Sequence, residues 1–273
     1  MNIYEETKYI MQKYDVHPNK NLGQNFLFDE NSLNKIAENV EKGDIVLEIG
    51  PGLGTLTALL ASRAKKVISV ELDPKMCMIL NERFKLYNNV EIINEDILKL
   101  DIEKIAPKAK IVANLPYYIT TPIITELLKS NVKDITVLIQ KEVADRICAK
   151  PGEKEAGAIT YYVNYYADAI KVQDVPKEYF IPNPKVESTI INLKKLEQPR
   201  VKVNNEKKFF DLIKNNFTKR RKTILNSLSD MIEKEQLIEV LDELYIDKNT
   251  RGEKLTLEQY AQIANLAFEQ EEK

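Results

Sequence analysis

An α/β fold with a mixed, mainly parallel sheet, followed by a small all-α domain, is predicted by three observations. Short, near-continuous apolar runs alternate with helical patterns through the first two thirds of the chain, the signature of strands buried on both faces by helices. Polar or glycine residues close four of those runs, at Gly50, Glu71, Asp96 and Asn114. Open α/β sheets take their ligands at that end of the strands. From Asn204 onward the pattern is helical only.

The elements follow in order. Ile45–Ile49 (IVLEI) is an apolar run stopped by Gly50, and Thr55–Ala64 reads as a helix. Val67–Val70 is the next strand, ending in Glu71; Asp73 and Pro74 then open a helix to about Leu86, with proline suited to a first helical turn. Val90–Ile93 is a strand ending near Asp96, Ile111–Ala113 one ending at Asn114, and TPIITELLKS is helix-like. Ile135–Ile139 (ITVLI) is a fifth strand, with a helix to about Ala149. After Gly157 the pattern changes: Ala167–Val175 and Val186–Leu196 read as an antiparallel hairpin on the sheet edge around the turn-rich YFIPNPK. Helices are expected near 206–217, 220–232, 234–245 and 256–270. The boundary falls within LEQPRVKVNN, dividing the chain into 1–200, with an N-terminal extension over 1–30, and a helical domain of about 70 residues over 201–273, near the lower end of independent folding size.

Composition bounds the function. The chain has 273 residues, 44% of them apolar and 30% charged, which is ordinary soluble usage and enough for a sizeable core. With a net charge of −2, nucleic-acid binding has to come from local basic patches. Cys77, Cys148 and the single histidine, His17, do not make a conventional zinc site, so no metal is expected. The widely separated cysteines fit a reducing cytoplasm. The first 15 residues lack the apolar core of a signal peptide, and no window approaches a membrane span.

The turn EIGPGLG places Gly50, Gly52 and Gly54 in a G-x-G-x-G spacing. Glycine allows tight turning and close backbone approach to a ligand. Glu71 lies 21 residues after Gly50, at a strand end where an acid accepts two ribose hydroxyls. This pair supports an adenosine-containing cofactor without separating NAD from S-adenosyl-L-methionine. The spacing, shorter than the dinucleotide fingerprint, and the acidic Glu48 ahead of it favour the latter. Asp96 reads either as a partner of the cofactor's adenine amine or as a helix N-cap; its place in the sheet favours the former.

Asn114–Tyr118 reads NLPYY. An aromatic amine is a poor nucleophile because its lone pair is delocalised into the ring. Acceptors aimed at its hydrogens localise that pair. The Asn114 side-chain oxygen and the Leu115 or Pro116 carbonyl are such acceptors, and Tyr117 can stack on the base, an interaction of about 1–3 kcal/mol. Methyl transfer then depends on alignment rather than on a strong base. Phe180 is a second aromatic candidate for the other face of the base; a core phenylalanine is an equally weighted reading.

Between Lys207 and Lys222 stand seven Lys or Arg and one acid, Asp211, and the sharpest part, Lys219, Arg220, Arg221 and Lys222, is expected to open a helix. A charge run is usually a solvated face; beside a base-handling site, phosphate contact is the sharper reading. Lys141, Arg146, Lys150, Lys154 and Lys185 are candidates to extend that surface.

NLGQNFL, EIGPGLGTLT, VELD, NEDILKLD, NLPYYI, FIPNPKVEST, FTKRRKTILNSL and RGEKLT occur in this order over essentially the whole chain. Jointly they resemble the small-subunit ribosomal RNA adenine dimethyltransferases of the KsgA/RsmA type. The resemblance implies a Rossmann-like S-adenosyl-L-methionine-dependent methyltransferase domain that dimethylates N6 of two adjacent adenosines in a hairpin near the 3′ end of small-subunit rRNA. It further implies that the partner is the assembling small subunit rather than free short RNA; a monomer is expected. By matching motif positions, Asn25, Leu27, Gly50, Gly52, Glu71, Asp96 and Asn114 line the cofactor site, and Asn114, Leu115, Pro116, Tyr117 and Phe180 hold the target adenine. One departure is Glu95, where that family usually has glycine. The nearest rival is a large-subunit rRNA adenine methyltransferase of the macrolide-resistance type, against which FTKRRKTILNSL and RGEKLT weigh. A DNA adenine methyltransferase, an NAD-dependent oxidoreductase and a non-catalytic ribosome-assembly factor are the others.

Overall fold

The alternating apolar runs become a seven-stranded sheet in the structure, a computed structural model that describes residues 2–268. The chain begins with α1 (Ile3–Lys13), β1 (Phe26–Leu27) and α2 (Glu30–Ile36). Then come β2 (Ile45–Ile49), α3 (Thr55–Arg63), β3 (Lys66–Glu71), α4 (Pro74–Phe84), β4 (Val90–Asn94) and α5 (Ile102–Ile105). β5 (Lys110–Asn114), α6 (Thr120–Lys129), β6 (Asp134–Gln140) and α7 (Lys141–Cys148) complete the parallel part. α8 (Ala158–Tyr166), β7 (Ala167–Val175), β8 (Phe180–Ile181) and β9 (Ser188–Lys195) follow, and then α9 (Glu206–Thr218), α10 (Ile224–Leu228), α11 (Lys234–Glu243) and α12 (Leu257–Phe268).

The strand order is β4-β3-β2-β5-β6-β9-β7. Strands β4 through β6 pair in parallel, and β9 adds antiparallel to β6. β2 and β5 are central, and Val46, Leu47, Ile111 and Ala113 have no exposed surface, as uninterrupted apolar strands require. The order reverses between β2 and β5, so their C-terminal ends form the crevice of the fold. A small second sheet pairs β1 with β8 antiparallel, Phe26 opposite Ile181 and Leu27 opposite Phe180.

Two glycines are fixed by geometry. Gly54 precedes α3 at φ 83°, and a Cβ there would lie 2.7 Å from the Phe84 ring on α4. Gly52, at φ 56°, would press its Cβ to 3.1 Å from Phe26. A left-handed backbone against an aromatic ring leaves no room for a side chain.

The chain divides into two units, Met1–Ala144 with Ala169–Lys195, and Asp145–Asp168 with Leu196–Lys273. The sequence places its cut near residue 200; the structure also gives the second unit Asp145–Asp168. Within that segment α8, AITYYVNYY, escapes the sequence reading because its tyrosines favour strands. Its helix forms because Tyr161 and Tyr165 bury one face among Phe209, Tyr260 and neighbours in the second unit, and Thr160 accepts the Gly157 N–H at its start.

A second difference concerns 220–232. Instead of one helix, residues 219–223 are a turn and α10 begins at Ile224, capped by Thr223. The turn is held by the Ile224 N–H on the Thr250 carbonyl at 2.7 Å and by a bridge between Thr223 and Arg251. The predicted helix near 256–270 is α12, with residues 269 and 270 outside the described part.

Candidate active site

At the C-terminal ends of β2, β3 and β5 a cleft is lined by Asn25, Leu27, Gly50, Gly52, Glu71, Asp96, Asn114, Leu115, Pro116 and Tyr117. Gln24, Glu48, Leu72, Glu95 and Tyr118 line it as well.

Glu71 ends β3 and is 7% exposed. Its two carboxylate oxygens accept backbone N–H groups of Asp73 at 2.9 Å and Gly52 at 3.1 Å. Burial raises its pKa above the ordinary glutamate value, those backbone donors oppose the rise, and the Asp73 charge adds to it. A carboxylate offers about four acceptor positions, so two bonds leave room for a ligand's hydroxyls.

Glu48 lies 1% exposed on β2. Its Oε2 accepts the hydroxyls of Thr57 and Ser69, both at 2.7 Å, while Oε1 is buried without a hydrogen-bond partner among the described residues. Desolvation, reinforced by the nearby Glu71 charge and opposed by the two hydroxyls, pushes its pKa up to about 7.

Asp96 follows β4. Its Oδ1 accepts the Leu98 N–H at 3.0 Å, capping a 3-10 turn over Ile97–Lys99. It is therefore both a cap and a wall of the cleft. The Glu95 carboxylate folds back to accept the Asp96 N–H at 2.9 Å, so the departure from glycine is absorbed by a local bond.

Asn114 ends β5. Its Nδ2 donates to the Asn25 carbonyl at 3.1 Å, and its Oδ1 takes no donor among the described residues. The Pro116 carbonyl accepts the Ile119 N–H and the Thr120 hydroxyl. The Leu115 carbonyl takes no donor among the described residues, although the Leu115 N–H bonds the Leu138 carbonyl at 3.0 Å. Of the two carbonyls weighed from sequence, Leu115 supplies the open one. Tyr117 is held by a hydroxyl contact of 2.5 Å with Ser188.

Phe180 is not part of the cleft wall. It has no exposed surface and packs with Leu27, Val175, Leu138 and Ile190, because β8 pairs with β1 and turns this ring inward. In this conformation it is a core phenylalanine and does not line the cleft where the sequence reading places the target base. His17 is exposed beside Asp15. Gln24 is a wall residue that sequence reasoning misses: its Oε1 accepts the Asn19 N–H and its Nε2 donates to Asp73 Oδ2, both at 2.8 Å. Its signal was its place in NLGQNFL, next to Asn25.

The basic residues belong to the second unit. Lys219 pairs with Asp230, and Arg220 pairs with Glu253 at 3.2 Å while also donating to the Ala156 carbonyl. Arg221 and Lys222 are exposed, and neither has an ion-pair partner among the described residues. Of the outlying cations, Lys141 lies between Asp174 and Glu187, at 2.7 and 3.0 Å.

The comparisons agree with this geometry. A family model described as ribosomal RNA adenine dimethylase matches residues 16–269. The ribosomal RNA small subunit methyltransferase A of Alkaliphilus oremlandii (strain OhILAs) is 49% identical over 274 residues, covering 96% of each chain. That of Clostridium botulinum (strain Kyoto / Type A2) is 46% identical over 271 residues, covering 96% of this chain and 98% of its own. Among solved structures, a dimethyladenosine transferase from Plasmodium falciparum superposes with TM-score 0.78 at 28% identity, over 89% of this chain and 97% of its own. The 23S rRNA methyltransferase ErmE gives TM-score 0.70 at 26% identity, over 89% and 99%. With an acid ending β3 and an Asn-x-Pro-Tyr turn ending β5 in a chain matched over nearly its whole length, the protein belongs to the ribosomal RNA adenine dimethylase family.

Proposed function

We propose that this protein dimethylates N6 of two adjacent adenosines in a hairpin near the 3′ end of small-subunit rRNA, acting in the cytoplasm as a monomer on the assembling small subunit. The observation that carries the chemistry is the Asn114 amide, with its donor bound to Asn25 and its oxygen left open. S-adenosyl-L-methionine is the cofactor that fits the cleft, and when bound it supplies an electrophilic methyl group on a positively charged sulfur. Two features of the cleft support that fit: the Glu71 carboxylate at the β3 end, and the unpartnered buried Oε1 of Glu48. An unmatched buried acceptor costs about 1–3 kcal/mol, and a cationic ligand nearby relieves that cost.

The chain's own groups do the following. Glu71 accepts the ribose hydroxyls, and Asp96 accepts from the cofactor's adenine amine. Asn114 Oδ1 and the Leu115 carbonyl accept the two hydrogens of the target amine, which aims its lone pair at the methyl group. Tyr117 stacks on the base. The nitrogen gains a methyl group and sheds a proton to water, so alignment rather than a strong base sets the rate. Arg221 and Lys222 contact phosphates.

The test uses labelled S-adenosyl-L-methionine with small and large subunits lacking their adenine methylations. Two methyl groups on each of two adjacent small-subunit adenosines are expected. Label on the large subunit would support the macrolide-resistance type instead; no label on either, with subunits bound, would support a binding factor. Asn114→Ala should lower the single-turnover rate more than about tenfold, roughly 1.4 kcal/mol, with cofactor affinity kept.

A further inference from the structure

The Asn114 amide is oriented by a segment, 19–25, that the Gln24 side chain pins to the β3–α4 junction. The partner of Asn114 Nδ2 is a backbone carbonyl, that of Asn25, 89 residues away in sequence. Asn25 lies in a connection with little regular structure between α1 and β1, where only Lys20–Leu22 forms a 3-10 turn. Besides the bond made by Gln24 Oε1, four bonds close that connection on itself: the Leu22 and Gln24 N–H groups on the Asn19 carbonyl, the Asn21 N–H on Asn19 Oδ1, and Asn25 Nδ2 on the Gly23 carbonyl. Two side-chain bonds tie it to the β3–α4 junction: Lys75 Nζ donates to the Asp15 carbonyl at 2.5 Å, and within 19–25 Gln24 Nε2 donates to Asp73 Oδ2 at 2.8 Å. The same amide's Oε1 accepts the Asn19 N–H at 2.8 Å. Both ends of Gln24 are therefore engaged, and the residue next to it presents the carbonyl that holds Asn114.

We propose that Gln24 is a positioning residue for methyl transfer: by latching 19–25 onto Asp73 it places the Asn25 carbonyl that turns Asn114 Oδ1 toward the target amine. This inference rests on the function proposed above and adds to it a control on the geometry of the base site. Without the latch, the Asn114 amide is free to turn its donor end toward an amine that needs an acceptor. The Asn25 bond also polarises the amide, which strengthens Oδ1 as an acceptor. The latch meets the cofactor wall as well, because the Asp73 N–H donates to Glu71 Oε1 at 2.9 Å. The expected fingerprint is a loss of rate rather than of cofactor affinity.

The test inverts the polarity of the latch. Gln24→Glu keeps the shape and the acceptor for Asn19, but sets an acceptor against Asp73. Asp73→Asn alone sets two donors against each other, while its Oδ1 continues to cap α4, which asparagine does as well as aspartate. The double variant restores a donor–acceptor pair in the opposite sense. Each single change should lower the single-turnover rate on unmodified small subunits about tenfold at saturating cofactor, with the double variant returning to within about threefold of the parent. Hydrogen exchange of the 19–27 amides, measured on cofactor-free protein, should be faster in both single variants and restored in the double. Single variants with parental rates overturn the proposal, as does a double variant no better than the worse single. So does unchanged exchange in 19–27, a readout that survives even if a variant is inactive for another reason. A parent protein that methylates no small subunit would overturn the functional reading instead, and the exchange result would still judge the latch.

Discussion

The hydroxyls of Tyr117 and Ser188 lie 2.5 Å apart, joining the turn after β5 to the first residue of β9, two strands across the sheet. Ser188 is fully buried, and burial raises the Tyr117 pKa while the serine bond opposes the rise. Ser188→Ala leaves the tyrosine hydroxyl without its tether. The expected cost is about 1 kcal/mol of stability, read by denaturant unfolding, together with a raised KM for the small subunit. An unchanged KM would show that packing alone holds the ring.

Glu71 sets a pH limit on cofactor binding. Its ionised form is the one that accepts two hydroxyls, and burial raises its pKa. Affinity for S-adenosyl-L-methionine should therefore be lost as the pH falls through that raised value, earlier than for an ordinary glutamate near 4.3. Calorimetry across a pH series checks the onset. Glu71→Ala at neutral pH should weaken binding by about 1.5–3 kcal/mol for each lost bond, without weakening association with the subunit.

Glu48 carries a stability signature of opposite sense. Its folded pKa of about 7 lies above the ordinary value of 4.5, so between those values the folded state holds the extra proton and stability falls as pH rises. That displacement sets an upper bound of about 3 kcal/mol. Glu48→Gln removes the titration. Its stability relative to the parent should improve between pH 4 and pH 8, as measured by denaturant unfolding of cofactor-free protein. A pH-independent difference would place the carboxylate in a better-solvated state than its burial implies.

Arg221 and Lys222, rather than the whole basic run, are the residues to change for subunit binding. Lys219 and Arg220 already serve the second unit through Asp230, Glu253 and the Ala156 carbonyl. Arg221→Gln with Lys222→Gln should weaken association and make the salt slope shallower by about 0.7–0.9 per lost phosphate contact. Cofactor affinity and the thermal transition should not move. Parental affinity and slope would identify the pair as a solvated face.

What could be read in the sequence follows from how local each signal is. The strands and the residues that end them, Glu71 and Asn114, are local patterns, and the structure brings them to one cleft. Phe180 could not be resolved locally, because its burial depends on β8 pairing with β1, more than 150 residues earlier. The 219–223 turn depends on Thr250 and Arg251 in the same way. Gln24 escaped because a glutamine in a loop has no pattern of its own; its partner Asp73 reads from sequence as an ordinary helix cap, and it is one. The Pro116 and Leu115 carbonyls look equivalent until the 3-10 turn claims one of them.

The interleaving of the two units limits how this protein can be rearranged by recombination. The second unit takes in Asp145–Asp168, after which the chain returns to supply β8, β9 and most of β7 to the first. Tyr161 donates to the Leu255 carbonyl at 2.7 Å and meets the Tyr260 ring edge-on, so the segment is bound to the end of the chain. Neither unit is a contiguous cassette. A crossover near residue 200 that joins this first part to a relative's last part pairs one lineage's α8 with another's α9 and α12. Functional chimeras should be those that exchange 145–168 together with the C-terminal residues, and lineages in this family are expected to inherit the two pieces as one.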